Sequence, residues 1–319
     1  MSKPIDYTRF EWIGLHKLLR VITIEATVIN DEPIRIGAGP GKAVFEPVDQ
    51  VVFKITDMRT STSMPAIPGS SWKGLFRSTA TSISRIHGLD VCDGVPRGYL
   101  CLKGKEFDAI EKSAPVNEDI AKIRAIITAT LRVCLLCLMF GSPGISSHVH
   151  FYDSLPKGDY KLGYKTGVAI NRRTGAAQPG MLFTVEYVEP GCKFSFKMRC
   201  ENLPNYALGL LVEVVDLLNA GVVKVGGLKS RGFGAVHFED LKISVHSPVQ
   251  EKYGVVNGAL RGLDPLDEDV KWPSSGLVVE GSDATSLLGD FIKCWRASLA
   301  RLKRVSDNGW KWEVALSEL

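Results

Sequence analysis

The amino-acid sequence predicts an α+β fold, with a ferredoxin-like (RRM-like) core that carries large insertions. Three observations lead to it. Residues 192–200 alternate: Cys192, Phe194, Phe196, Met198 and Cys200 share one face, and Lys193, Ser195, Lys197 and Arg199 the other, as a half-buried strand requires. Trp72, Leu75, Phe76, Thr79, Ile83 and Ile86 recur at helical spacing behind the turn Pro68-Gly69-Ser70-Ser71. The core elements follow one another as strand, helix, strand, strand, helix, strand, which is the order of the ferredoxin-like unit.

Taken in order, residues 18–29 (LLRVITIEATVI) are rich in β-branched side chains and read as the first strand. A glycine cluster at 36–42, an extended stretch at 43–56 and a loop at 57–64 lead to a helix over 71–87. Residues 88–116 are irregular, with many Gly and Pro. Asn117 can cap a second helix that runs to about Leu138 and is ended by Phe140-Gly141-Ser142-Pro143-Gly144. A short strand covers 148–153, a projecting hairpin or loop 155–180, and a strand 181–189. Residues 205–220 form an apolar helix stopped by Gly221. A strand-like VVKV then enters a glycine loop, and two strands follow at 234–239 and 241–245.

The composition changes after His246. Residues 246–281 are Pro/Gly-rich and partly acidic. A basic amphipathic helix follows at 283–304, with Leu287, Leu288, Phe291, Ile292, Trp295 and Leu299 along it, then Trp310 and Trp312. The expected organisation is a core at 1–245, with insertions at about 88–147 and 155–180, and an extension at 246–319.

Hydrophobic residues make up 45% of the 319 and charged residues 23%, which excludes a disordered chain. The longest apolar run, Val133 to Phe140, is too short to span a bilayer. The opening residues, MSKPIDYTRFEW, lack the apolar segment of a secretory signal, and seven cysteines are an odd number. The expectation is a cytoplasmic protein with reduced thiols. A net charge of +4 permits a nucleic-acid partner without requiring one.

Two segments have the chemistry of phosphate binding. In Ile67-Pro68-Gly69-Ser70-Ser71-Trp72-Lys73-Gly74-Leu75-Phe76-Arg77, the unpaired N–H groups of a helix start favour an anion. Ser70 and Ser71 add hydroxyl donors, and Lys73 and Arg77 lie four apart on one face. In Gly226-Gly227-Leu228-Lys229-Ser230-Arg231-Gly232-Phe233-Gly234, glycines allow close approach of the backbone, and Lys229 and Arg231 supply charge. No GK[ST] closes this loop, so it is not a Walker A loop. Phe233 can stack on a base or simply pack. Cys134-x-x-Cys137, at the end of the second helix, is a candidate half of a structural zinc site, and two of His87, Cys92 and Cys101 can complete it. Cys192 and Cys200 belong on an apolar strand face. His148 and His150 alternate onto one side of a strand and lack partners for a nucleophilic triad.

These motifs resemble the two signatures of the RAMP superfamily. The stretch Gly167 to Gly191, GVAINRRTGAAQPGMLFTVEYVEPG, is similar to the thumb hairpin segment of the repeated backbone subunit of type III CRISPR effectors. The resemblance covers roughly residues 18–245. It implies a subunit that stacks along crRNA with other RAMP subunits and the large subunit of the complex, and that holds the guide backbone through its glycine loop and helix start. It implies a thumb that reaches the guide–target duplex, with Asn171, Arg172 and Arg173 at RNA. It also implies target-RNA cleavage with a divalent metal, Mg²⁺ or Mn²⁺, through an aspartate. The matching segment is Glu46-Pro47-Val48-Asp49-Gln50-Val51-Val52, so Asp49 carries that role, with Asp57 a weaker candidate and Glu46 able to assist a metal. Gln50 and Val51 stand where the family has a small polar residue and proline. A non-catalytic structural RAMP subunit is therefore the alternative. Further off is a guide-processing endoribonuclease acting through His16 or His87.

Overall fold

The computed structural model describes residues 7–37, 48–58, 61–94, 101, 105, 108, 109, 112 and 131–312. Within these, β1 (Val21–Asn30) is followed by a hairpin of β2 (Lys54–Asp57) and β3 (Thr62–Pro65), then helix α1 (Gly69–Ile86) and the short helix α2 (Leu135–Phe140). Next come β4 (Val149–Phe151), β5 (Leu162–Ile170), β6 (Ala177–Val188), β7 (Lys193–Glu201), helix α3 (Asn205–Asn219) and β8 (Val236–His246). The chain continues through α4 (Gln250–Tyr253), the short strands β9 (Val255–Val256), β10 (Ala259–Leu260), β11 (Val270–Lys271) and β12 (Val278–Glu280), and helix α5 (Gly281–Asp307).

The main sheet has the order β12-β8-β1-β7-β4, and all its pairs are antiparallel. Four of its strands, β8-β1-β7-β4, have the ferredoxin-like order, with α1 and α3 as the two crossover helices. The alternation of β7 works as the sequence requires. Phe194, Phe196, Met198 and Cys200 are buried towards the helices, where Trp72 and Phe238 meet Phe196 edge-on at ring distances of 5.2 and 5.0 Å. The opposite face is charged and self-paired: Lys197 binds Glu25 at 3.0 Å and Arg199 binds Glu201 at 2.6 Å.

Four elements differ from the sequence reading. The two strands expected at 234–239 and 241–245 are one, β8. An extra residue is absorbed as a bulge opposite Glu25 to Thr27, with Asp240 at φ 52°. The strand-like VVKV is a turn that enters the glycine loop. Of the expected second helix, residues 117–130 lie outside the described residues. Its end is not continuous: Cys134 has extended backbone at the start of α2, so the CxxC pair opens a helix and does not close one. The strand at 181–189 pairs with β5 in its own two-stranded sheet, and the third core strand is β7.

The segment after His246 packs onto the core. β12 extends the main sheet, and α5 lies along α3, burying Leu287, Leu288, Phe291, Trp295 and Leu302. Fully buried Arg20 donates from Nη2 to Leu203 O at 2.7 Å and Asn205 Oδ1 at 2.8 Å, and from Nη1 to Arg261 O. Asp267 accepts from the Asn205 and Tyr206 N–H groups at 2.9 and 3.2 Å and so caps α3. Asp264 accepts from Trp12 Nε1 at 2.7 Å and from the Tyr206 hydroxyl at 2.8 Å. Trp312 packs edge-on against Trp12 at 5.9 Å and donates from Nε1 to Val133 O at 2.9 Å.

Two expectations follow. An ideal Cβ on Gly209 of α3 would sit 2.1 Å from the Phe291 carbonyl oxygen of α5. Gly209→Ala gains about 1 kcal/mol in helix propensity, but overpacking against backbone costs about 1–3 kcal/mol, so the variant unfolds at lower denaturant in an equilibrium titration. Burial, with Asp267 beside it, pushes the Asp264 carboxyl up to about 7 from 3.8. A carboxyl raised on folding stabilises fully below its unfolded value, and that contribution is lost as pH climbs from 3.8 to about 7. Stability measured from pH 5 to pH 8 therefore falls in the wild type and falls less in Asp264→Asn.

Candidate metal centre and nucleic-acid interface

The glycine loop is shaped by its backbone. Leu228 and Gly232 take left-handed φ values of 59° and 79° on either side of a single 3₁₀ turn, Lys229–Arg231. That turn leaves Lys229, Ser230 and Arg231 exposed. Gly226 has φ 79°, and a Cβ there would lie 2.4 Å from Arg35 O, so no other residue fits at that crossing. Gly227 N donates to the same carbonyl at 2.9 Å. Phe233 is buried and packs edge-on against Tyr187 at 5.5 Å, with Lys165 Nζ 5.4 Å from its ring centre. Of the two roles open to it, Phe233 has the packing one.

The hairpin β5–β6 projects with a turn over Asn171–Ala176. Asn171 Oδ1 accepts from Arg173 N at 2.9 Å and its Nδ2 donates to Gln178 Oε1 at 3.0 Å, so this side chain organises the turn. Arg172 and Arg173 are exposed at the tip. At the hairpin base, Thr184 N donates to Asp49 Oδ2 at 2.9 Å, and Glu186 N donates to Gln50 O at 2.9 Å. The nearly buried Glu186 carboxylate accepts from Val52 N at 3.0 Å and binds Lys54 Nζ at 2.9 Å, which pins the Asp49 segment to β6. A small pocket of about 60 Å³ lies beside it, lined by Lys165, Phe183, Val185, Leu228, Arg231 and Phe233. Asp49 itself is exposed. Asp57 is the last residue of β2, paired with Thr62 of β3, and Glu46 lies outside the described residues.

The start of α1 is already capped in part. Gly69 N donates to Asp153 Oδ1 at 2.7 Å, and Trp72 Nε1 donates to Ser154 Oγ at 2.8 Å. Ser70 is exposed, and Ser71 and Lys73 are half-buried. Desolvation, then the charge of Arg77, depresses the pKa of Lys73. Arg77 donates to Gly141 O and to Cys137 Sγ. The structure thus brings Asp49, the hairpin base and the glycine loop together at residues 183–185 of β6.

Four cysteines meet beside Arg77 of α1. The sulfurs of Cys92, Cys101, Cys134 and Cys137 all lie within 4.8 Å of one another. The Cys92–Cys137 separation of 3.0 Å is far above a disulfide bond, and Cys134–Cys92 is 3.8 Å. Tetrahedral Zn–S bonds of about 2.3 Å would space sulfurs by roughly 3.8 Å, so the donor set fits a metal such as zinc. Hydrogen bonding with Cys101 pulls the Cys92 thiol down and pushes Cys134 and Cys137 up, while Cys134 draws Cys101 down. His87 is not in the cluster; it is exposed, with its ring 6.3 Å from Trp295. Cys192 and Cys200 are core residues.

The other histidines have structural surroundings. His148 is fully buried, with Nδ1 2.8 Å from Glu201 O and Nε2 3.3 Å from Ile13 O, and desolvation lowers its pKa. His150 lies 3.8 Å from Glu201, and burial lowers its pKa as well. His16 is exposed.

Sequence reasoning missed three residues at these sites. Arg35 lies against Gly37 and Gly227, its Nε buried without a partner among the described residues, and burial lowers its pKa. Its signal was a cation directly before the glycine cluster. Glu186 and Asp153 gave no signal, because their roles come from pairing across distant segments.

Among the described residues, no helix is long and apolar enough to cross a membrane. No curated protein matches the chain. The family model of the RAMP superfamily matches residues 31–237, well over half of the chain, a span that holds α1, β4, the hairpin, β7, α3 and the glycine loop described above. The chain belongs to the RAMP superfamily.

Proposed function

We propose that this chain is a crRNA-binding subunit of a type III CRISPR effector complex, most like its repeated backbone subunit, and that it cleaves target RNA through Asp49. Membership of the family points to a CRISPR-associated RNA-binding subunit. The observation that supports the finer reading is convergence: Asp49, the hairpin and the glycine loop, remote in sequence, meet at residues 183–185 of β6. Lys229, Ser230 and Arg231 hold the guide by its phosphates, helped by Ser70, Ser71 and Lys73 at the start of α1. Such contacts carry no base code, so binding tolerates any guide sequence. Arg172 and Arg173 reach the guide–target duplex at the hairpin tip. Other RAMP subunits and the large subunit complete the assembly, in the cytoplasm.

RNA supplies its own nucleophile, the 2′-hydroxyl. A carboxylate held beside a distorted backbone takes up the hydroxyl proton as the 2′-oxygen bonds in line to phosphorus; the P–O5′ bond breaks, a 2′,3′-cyclic phosphate is left, and the departing 5′-oxygen takes a proton from water. A bound Mg²⁺ or Mn²⁺ supplies charge stabilisation for the phosphate. Thr184 N–H fixes the Asp49 carboxylate at one oxygen, which orients the group for this work. The same hydrogen bond also favours a second reading, in which Asp49 is a structural link and the chain is a non-catalytic RAMP subunit.

Three measurements test these readings. In the reconstituted complex, Asp49→Ala binds guide and target as the wild type does but loses metal-dependent cutting; an unchanged cutting pattern makes the chain a scaffold. RNA affinity falls steeply with salt, and Lys229→Ala and Arg231→Ala each flatten the logarithmic salt slope by roughly one. Metal analysis of the purified chain finds zinc that a chelator removes, and Cys134→Ser binds it weakly and melts earlier.

A further inference from the structure

Arg77 follows Lys73 by one helical turn, which makes it an RNA ligand by sequence. Its side chain goes elsewhere. Nη1 donates to the Gly141 carbonyl at 2.8 Å and Nη2 to Cys137 Sγ at 3.5 Å. Behind the guanidinium lies Gly94, with φ 71°, where an ideal Cβ would sit 2.0 Å from Nη2. The group is therefore wedged between the turn after Cys92 and the helix that carries Cys137. Its Nε is buried without a partner, and among the described residues no carboxylate pairs with it.

A guanidinium so placed answers an electrostatic need. Four thiolates around one Zn²⁺ carry a net charge of −2, and here they sit among Leu135, Leu136 and Leu138, all fully buried. Buried charge is costly unless donors and counter-charge meet it. A cationic N–H···S contact supplies both, and the fork holds the sulfur and the adjacent carbonyl in one orientation.

We infer that Arg77 is a positioning residue of the metal centre, an outer-sphere cation that secures the four-cysteine site to α1, and is not an RNA ligand. The inference rests on the metal reading of the cysteines. It ties the two motifs together mechanically: the helix whose start faces RNA is anchored, two turns on, by the metal site.

The test compares wild type, Arg77→Lys, Arg77→Met and Lys73→Ala in the full chain. Zinc affinity is read by chelator competition, and RNA binding by its salt slope at saturating zinc. Circular dichroism checks that each variant is folded. Arg77→Met is expected to bind zinc about 10- to 100-fold more weakly, with Arg77→Lys between it and the wild type. Both should keep the wild-type RNA salt slope, whereas Lys73→Ala loses slope and keeps zinc. Unchanged zinc affinity in folded Arg77→Met overturns the inference and leaves the metal site standing. So does a flattened RNA slope with zinc in place. A wild type that binds no zinc overturns the metal reading and the inference together.

Discussion

Strand β1 is hydrogen-bonded along both edges, to β7 over Val21–Ile29 and to β8 over Val21–Asn30, and each end of it governs a different half of the molecule. At its start, Leu19 and Arg20 bond to Asn202, and the Arg20 guanidinium reaches Leu203, Asn205 and Arg261, which seats the C-terminal segment. At its end, Asn30 Nδ2 holds the carbonyls of Glu32 and Glu189. The chain then runs between the hairpin and the glycine loop, pairing Ile34 with Val188 and giving the Pro33 and Arg35 carbonyls to Gly234 and Gly227. A one-residue slip of β1 would turn every core side chain outward and misplace both ends at once.

Charge is sorted by location and not by amount. The open sheet face carries many ionic groups, yet they neutralise one another across strands, as in Lys197–Glu25 and Lys242–Glu280. Exposed pairs of this kind contribute little to stability, but they leave the face without a net field. Arg172 and Arg173 on one turn, and Lys229 and Arg231 on the other, are instead displayed in the open, where like charges add. The modest net charge of the whole chain therefore conceals two local basic features.

Much of the fold was legible because two-residue and helical periodicities report directly on which face is buried; β7, α3 and α5 behave as their patterns require, and so does α1 except at Ile86, which ends the helix exposed. The bulge at Asp240 escaped, since a left-handed residue in mid-strand leaves no trace in a hydrophobicity pattern. Residue types alone also marked Cys92, Cys101, Cys134 and Cys137 as candidate ligands, but His87 looked equally eligible until three-dimensional proximity separated it from them. The direction of Arg77, the capping of α1 by Asp153 and the brace formed by Glu186 were beyond reach. Each depends on a partner 60 or more residues away, and local spacing carries no information about such pairs.

The four-cysteine cluster also has a topological meaning. Cys101 and Cys134 lie far apart in sequence, but their sulfurs end within 4.8 Å of each other. The two ends of the intervening stretch are therefore held together, and a loop is closed. The entropic cost of closing such a loop rises only logarithmically with its length, by about 0.6 kcal/mol per doubling. Bringing Cys101 and Cys134 together thus costs little more than closing a loop half as long, so the cluster tolerates a long connection between its two halves.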